Sequence, residues 1–158
     1  MTRAEVGDCY LLCRIGSRIG ALAIEHVVET MRPLPVEPLA TAPAFVLGLA
    51  MVRGVPVPVV DACRILEPSA SSSMLSPARF VSIKLGERTA ALAVDAVLEV
   101  RAFAAGVLAD IPPLLRGAAA DIVASIGALD AKLLLVLEAG RLVPDSVWTS
   151  IKGRGKSE

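Results

Sequence analysis

The amino-acid sequence predicts an all-β fold, most simply two small barrels, and three observations carry that reading. First, residues 10–30, YLLCRIGSRIGALAIEHVVET, recur as residues 80–100, FVSIKLGERTAALAVDAVLEV, at an offset of 70. Seven of those pairs are identical, Gly16/Gly86 and Arg18/Arg88 among them, where chance in a chain so rich in Ala, Leu and Val gives roughly two. Second, short apolar runs with turn residues between them recur every 8 to 10 residues, the spacing of all-β architectures. Third, 54% of the chain is hydrophobic but only 3% aromatic, so the core is built from Val, Leu, Ile and Ala.

The duplication resumes where residues 48–66 lie over residues 125–143 at an offset of 77. Val59/Val136, Ala62/Ala139 and Arg64/Arg141 are identical, and Asp61/Glu138 keeps an acid before each Arg. The second half therefore carries about seven extra residues, most simply within residues 117–124. A repeated unit builds a crevice at its pseudo-two-fold seam, so that seam is where a binding site is expected. At 158 residues the chain can hide roughly 70% of its unfolded surface, whereas each half alone would be marginal.

Taken in order, residues 10–15 read as a strand with only Arg14 firmly outward, and residues 80–85 as its mate. There Val81, Ile83 and Leu85 alternate with Ser82 and Lys84, the pattern of a half-buried strand. Gly16-Ser17 and Gly86-Glu87 are hairpin turns leading into residues 18–24 and 88–94. Residues 25–29 and 95–99 predict a helical turn or bend before another strand. Pro33, Pro35, Pro38 and Pro43 forbid regular structure, so residues 32–43 are a loop. Residues 44–47 then suit one helical turn.

Residues 48–53 and 55–60 form a second hairpin around Gly54. Pro56 and Pro58 point their nitrogens to one edge of the last strand, which is a blocked edge or a kinked barrel strand. Asp61 is placed to cap a short helix over residues 62–67, and Glu138 to do the same before residues 139–143. Residues 67–77, EPSASSSMLSP, have a linker's composition. The repeats thus divide into residues 9–66 and 79–143. Residues 144–158 form a tail, partly disordered, with one helical turn near Trp148.

Composition excludes several functions. Sixteen basic and sixteen acidic residues cancel, and no basic stripe exists beyond Lys152, Arg154 and Lys156, so no nucleic-acid surface is expected. No apolar stretch approaches the ~20 residues of a membrane span. Charges at Arg3, Glu5 and Asp8 argue against a secretory signal, so a cytoplasmic location is expected. Cys9 and Cys13 would stand ~13 Å apart on one strand, too far for a disulfide. His26 is the sole histidine and its repeat mate is Ala96. Metal, nucleotide and acyl-transfer motifs are lacking, so neither catalytic residues nor a cofactor or metal site is expected. A two-lobed aspartic protease would need Asp-Thr-Gly or Asp-Ser-Gly in each lobe; the matched acids read Asp61-Ala62-Cys63 and Glu138-Ala139-Gly140.

Residues 41–66, TAPAFVLGLAMVRGVPVPVVDACRIL, closely resemble the diagnostic stretch of the CheW family of chemotaxis adaptors, near TPxFVxGVxNLRGxVVPVIDLRxxL. Pro43, Phe45, Gly48, Arg53, Gly54, Pro58, Val59, Asp61 and Arg64 fall on it. Residues 91–100 and 127–142 also look like the family, so the resemblance spans roughly residues 8–143. It implies two five-stranded Src-homology-3-like barrels related by a pseudo-two-fold, and a non-catalytic adaptor of two-component signal transduction. Its partners would be the cytoplasmic tip of a methyl-accepting chemoreceptor and the regulatory domain of a CheA-type histidine kinase.

By that resemblance, Val27, Glu29, Arg53, Phe80, Ala91, Val97 and Val100 line a receptor-binding groove between the barrels. Val55 and Val57, with Leu114 and Leu115, form the kinase-binding patches. Arg53 is expected to pair with Glu29 or Asp130 and hold the groove in shape. Departures from the pattern are Met51-Val52 where Asn-Leu is usual, the extra Pro56 and the Pro-rich residues 32–39. They leave open a double-barrel binding module of a non-motility pathway, such as a type IV pilus or developmental system, or a competitor of the coupling adaptor.

Overall fold

The computed structural model describes residues 8–40, 42–66, 79–104, 108–109, 123–129 and 132–156. Ten strands run in the order β1 (Asp8–Ile15), β2 (Arg18–Ala23), β3 (Val27–Met31), β4 (Val46–Val52), β5 (Val55–Asp61), β6 (Arg79–Leu85), β7 (Arg88–Val94), β8 (Ala96–Phe103), β9 (Val123–Leu129) and β10 (Lys132–Leu137). Among the described residues, two helices, α1 (Ala62–Leu66) and α2 (Asp145–Lys156), and two short 3-10 turns accompany them.

The strands form two five-stranded sheets, β8-β1-β2-β10-β9 and β3-β6-β7-β5-β4. Moving each strand to its repeat mate converts one order into the other, so the sheets have identical topology. Each sheet also mixes the repeats: the opening hairpin of one half sits among three strands of the other. The exchange follows from short crossovers. Only the turn Ile24–His26 separates β2 from β3, and only Asp95 separates β7 from β8, so the chain changes sheet there without room for the sheets to part.

Side-chain alternation explains the two-sided burial. In β7, Ala90, Leu92 and Val94 face one apolar cluster while Ala91 and Ala93 face another. In β1, Leu11, Cys13 and Ile15 share the first cluster while Leu12 turns into a third. The first and largest cluster lies between the sheets and draws on both halves. The other two fill the concave sides of the individual sheets. Central strands with cores on both faces read as continuous apolar runs, and Ser82, expected outward, is buried for that reason.

The duplication extends to irregularities. Register shifts leave Val28 extra in β3 and Leu98 extra in β8, and Leu47 extra in β4 and Ala124 extra in β9. These are repeat mates at offsets of 70 and 77, and bulges of this kind bend a sheet toward closure. The outer edges of β4 and β9 each take one bridge, Glu37 to Leu49 and Ala109 to Ile126. Gly48, at φ 143, permits the first: a side chain there would run into the Glu37 carbonyl and come within 2.8 Å of the Pro38 Cα.

Hairpin turns follow the glycines. Gly16 and Gly86 have φ 62 and 63 at the first turn position, the sign pattern of a type II′ turn, while Arg53 and Gly54 are both positive, at 52 and 80, as in type I′. The Leu49 N–H donates to Glu37, so Leu49 and Pro58 are a non-hydrogen-bonded pair and the nitrogens of Pro56 and Pro58 face β7. Accordingly β5 pairs with β7 only from Val59 onward.

Several expectations are corrected. Residues 44–47 are not a helical turn: Val46 N–H bonds to the Pro43 carbonyl and β4 begins there. Asp61 caps α1 as expected, its Oδ1 accepting from Cys63 N–H at 3.0 Å. Glu138 makes no such bond, because the turn Ala139–Arg141 after it is too short and its first bond is backbone, Arg141 N–H to the Glu138 carbonyl. The tail holds a twelve-residue helix rather than one turn. Val147, Trp148 and Ile151 of α2 pack on the shared core, with the Arg88 guanidinium 5.2 Å from the Trp148 ring centre and its Nη1 3.6 Å from Asp145. The expected linker, residues 67–77, lies outside the described residues.

Candidate functional site

The most defined surface feature is the contact between Arg53, in the β4–β5 turn, and Glu29, on β3. Arg53 donates twice, Nε to Oε2 and Nη2 to Oε1, both at 3.0 Å. Since β3 and β4 are the two edge strands of one sheet, this fork ties the β4–β5 turn to the opposite edge of that sheet. A non-glycine residue at positive φ is held against a cost of order 1–3 kcal/mol, so the turn sets Arg53's direction before any partner arrives. Arg53 remains 77% exposed and Glu29 29%. The two Arg53 hydrogen bonds hold the Glu29 carboxyl below its usual range, helped by the positive charge and opposed by partial desolvation.

The repeat mate of Glu29 is Glu99, and it is engaged differently. Arg101 on the same strand forks onto it at 3.2 Å through Nε and Nη2. The duplicated position has diverged from an edge-to-edge clasp to a pair within one strand. Asp130, the repeat mate of Arg53, lies outside the described residues.

Val27 and Val97 are repeat mates on β3 and β8, and both are half-buried against the core shared by the two sheets. They mark the seam from its two symmetric sides. Val100 stands out from β8, 55% exposed, with Leu98 exposed beside it at the bulge. Val27, Glu29, Arg53, Val97 and Val100 are therefore all at the surface or its margin.

Phe80 and Ala91 are not. Each is 1% exposed, inside the cluster on the concave side of the second sheet with Ala50, Val52, Val57, Val59 and Ala93. The groove expectation is corrected for both, because they alternate out of phase with Val81 and Leu92, which face the seam. Val57 is likewise 1% exposed in that cluster, so of the expected first kinase patch only Val55, 54% exposed, faces outward. Met51 and Pro56 are exposed near it. Leu114 and Leu115 lie outside the described residues.

Sequence reasoning missed Asp95. Its Oδ2 accepts from Gly16 N–H at 2.6 Å and its own N–H donates to the Arg14 carbonyl at 3.0 Å. The residue at the sheet crossover thereby locks the β1–β2 turn. Its signal was the acid repeated as Glu25/Asp95. His26 closes the other crossover with Nε2 3.9 Å from Glu25, and Asp61, with Arg64 3.5 Å away, is committed to its cap. No helix among the described residues is long and apolar enough to cross a membrane.

The chain is similar to known proteins in sequence and fold. A chemotaxis protein CheW from Klebsiella aerogenes is 24% identical over 152 residues, 96% of this chain and 91% of that protein. The crystal structure of the scaffolding protein TtCheW from Thermoanaerobacter tengcongensis superposes with a TM-score of 0.73 at 20% identity, covering 84% of this chain and 89% of that one. It shares the fold. The profile of the CheW-like domain matches residues 9–147, nearly the whole sequence, and the chain belongs to the CheW-like domain family.

Proposed function

We propose that the protein is a non-catalytic adaptor that couples the cytoplasmic tip of a methyl-accepting chemoreceptor to a CheA-type histidine kinase in the cytoplasm. The observation that carries this reading is the Arg53–Glu29 clasp in a chain of this family. A receptor tip is a helical hairpin, and its partner needs an apolar furrow that accepts side-chain ridges, with polar groups to fix the register. Val27 and Val97 at the seam, Val100 beside them and the Arg53–Glu29 pair supply those chemistries. Val55, with Met51 and Pro56, offers a separate apolar surface at the β4–β5 end for the kinase.

The test is co-purification of the full chain with a receptor cytoplasmic fragment and the kinase, with autophosphorylation followed in the ternary mixture. A kinase rate that responds to receptor only when the chain is present supports coupling. Binding to the kinase with no such response supports the competitor reading instead. Met51-Val52 before Arg53-Gly54 and the proline-rich residues 32–39 leave open a pathway other than flagellar motility.

A further inference from the structure

Residues 32–38 read Arg-Pro-Leu-Pro-Val-Glu-Pro, and covalent sterics alone fix most of their shape. Pro33, Pro35 and Pro38 have φ near −65°, and Arg32, Leu34 and Glu37, each before a proline, are pushed out of the helical region. Only Val36 is free of both constraints. The segment is therefore extended, and in a polyproline II helix of three residues per turn the positions 32, 35 and 38 form one ridge. All three are exposed, as are Pro33 and Glu37, whereas Leu34, Val36 and Leu39 are half-buried against the cores beneath.

The strap stays a strap because of Pro35. Glu37 and Leu49 exchange both backbone bonds at 2.8 Å, so the next hydrogen-bonded pair would join residue 35 to Met51. Proline has no N–H to give, and the ladder stops after one bridge. The same register sets Pro35 across from Met51, itself 60% exposed. Arg32 makes no ion pair or hydrogen bond among the described residues.

We propose that residues 32–38 are a docking strap read by a polyproline-binding module of a partner protein, one whose groove is lined by aromatic side chains and flanked by a carboxylate. Pro35 and Pro38 would lie on the aromatic floor and Arg32 on the carboxylate, which fixes the direction of binding. A second copy of this chain does not fit that description. Phe80 and Phe103 are buried, Tyr10 packs on Phe103, Phe45 packs on the shared core, and Trp148 lies against Arg88, so among the described residues no two exposed aromatic rings stand side by side. The proposal stands on the strap alone and does not depend on receptor or kinase binding.

The test titrates the isotope-labelled full-length protein with an isolated Src-homology-3 domain that selects arginine-first proline ligands. Amide shifts are expected in residues 31–39 and at Met51. Arg32→Glu should weaken the complex about tenfold and Pro35→Ala about fivefold, while Pro33→Ala, off the ridge, should stay within about twofold. No shift in the strap at about 1 mM probe, or equal binding by Arg32→Glu, would overturn the proposal. Strap shifts that grow with the protein's own concentration, without probe, would assign the strap to self-association and overturn it equally. Arg32 is exposed, so its variant keeps the native spectrum and the comparison stays valid.

Discussion

Replacing Phe80 by Ala separates a structural role from a binding role at a position that the family resemblance places in the groove. Phe80 is 1% exposed among Ala50, Val52, Val57, Val59, Ala91 and Ala93, with Met31, Leu34, Val36 and Leu47 packed at the cluster's margin; the enclosed neighbours are small or β-branched and fill little of the space it leaves. Losing the buried ring forfeits a transfer free energy of about 2 kcal/mol. A residual cavity of roughly 100 Å³ at about 24 cal/mol per Å³ adds about 2 kcal/mol more. The expected cost is about 4 kcal/mol, a large share of the ~5–15 kcal/mol that stabilises an ordinary domain. In this size range it lowers the melting temperature by about 8–16 °C. Urea denaturation of both proteins at one temperature reads it directly. A loss below about 1 kcal/mol would refute the placement of Phe80 in a closed core. So would full folding stability combined with lost receptor binding, since that pattern belongs to a surface contact.

Other outcomes follow from the same geometry. Gly48→Ala meets the Glu37 carbonyl and the backbone of Pro38 at an unfavourable φ and should lose about 3–5 kcal/mol of stability, whereas Gly54→Ala, with open space around it, should lose only about 1 kcal/mol. Burial pushes the Cys13 thiol up to about 12, so native protein at pH 8 should alkylate at Cys9 and Cys63 well before Cys13. Mass spectrometry of the digest settles the order, and fast labelling of Cys13 would mean an open core. Glu29 sits below the ordinary carboxylate range because Arg53 bonds it, so the pair persists above that range and is lost as pH falls through the depressed value. A carboxyl titration of Glu29 by NMR should move up to the ordinary range in Arg53→Ala, and an unchanged titration would deny the clasp.

The hairpins, the turns at Gly16, Gly54 and Gly86, the cap at Asp61 and the blocked side of β5 were legible because each is a local matter of backbone chemistry. The duplication was legible as well, but not which sheet each hairpin joins. Exchange of hairpins between halves is decided by the two crossovers at residues 24–26 and 95, and no periodicity records where a strand goes after a bend. The same gap explains the site. Arg53 was expected to pair with Glu29 or Asp130, and the structure shows the Glu29 pair. Phe80, Ala91 and Val57 went astray because an alternating strand with cores on both sides gives no sign of which apolar face meets the seam. The length of α2 was missed because its Gly153 and Gly155 and its polar residues hide a helix anchored through Val147, Trp148 and Ile151.

We propose that the Arg53–Glu29 ion pair shapes a surface that grips a receptor tip. A charge-exchange cycle on Glu29 and Arg53 tests it most directly, with binding of a receptor cytoplasmic fragment measured for Glu29→Arg, Arg53→Glu and the double variant. Each single variant should bind weakly while remaining folded, and the double variant should recover a substantial part of the affinity. Wild-type affinity in all three, or additive losses with no recovery in the double variant, would contradict the account.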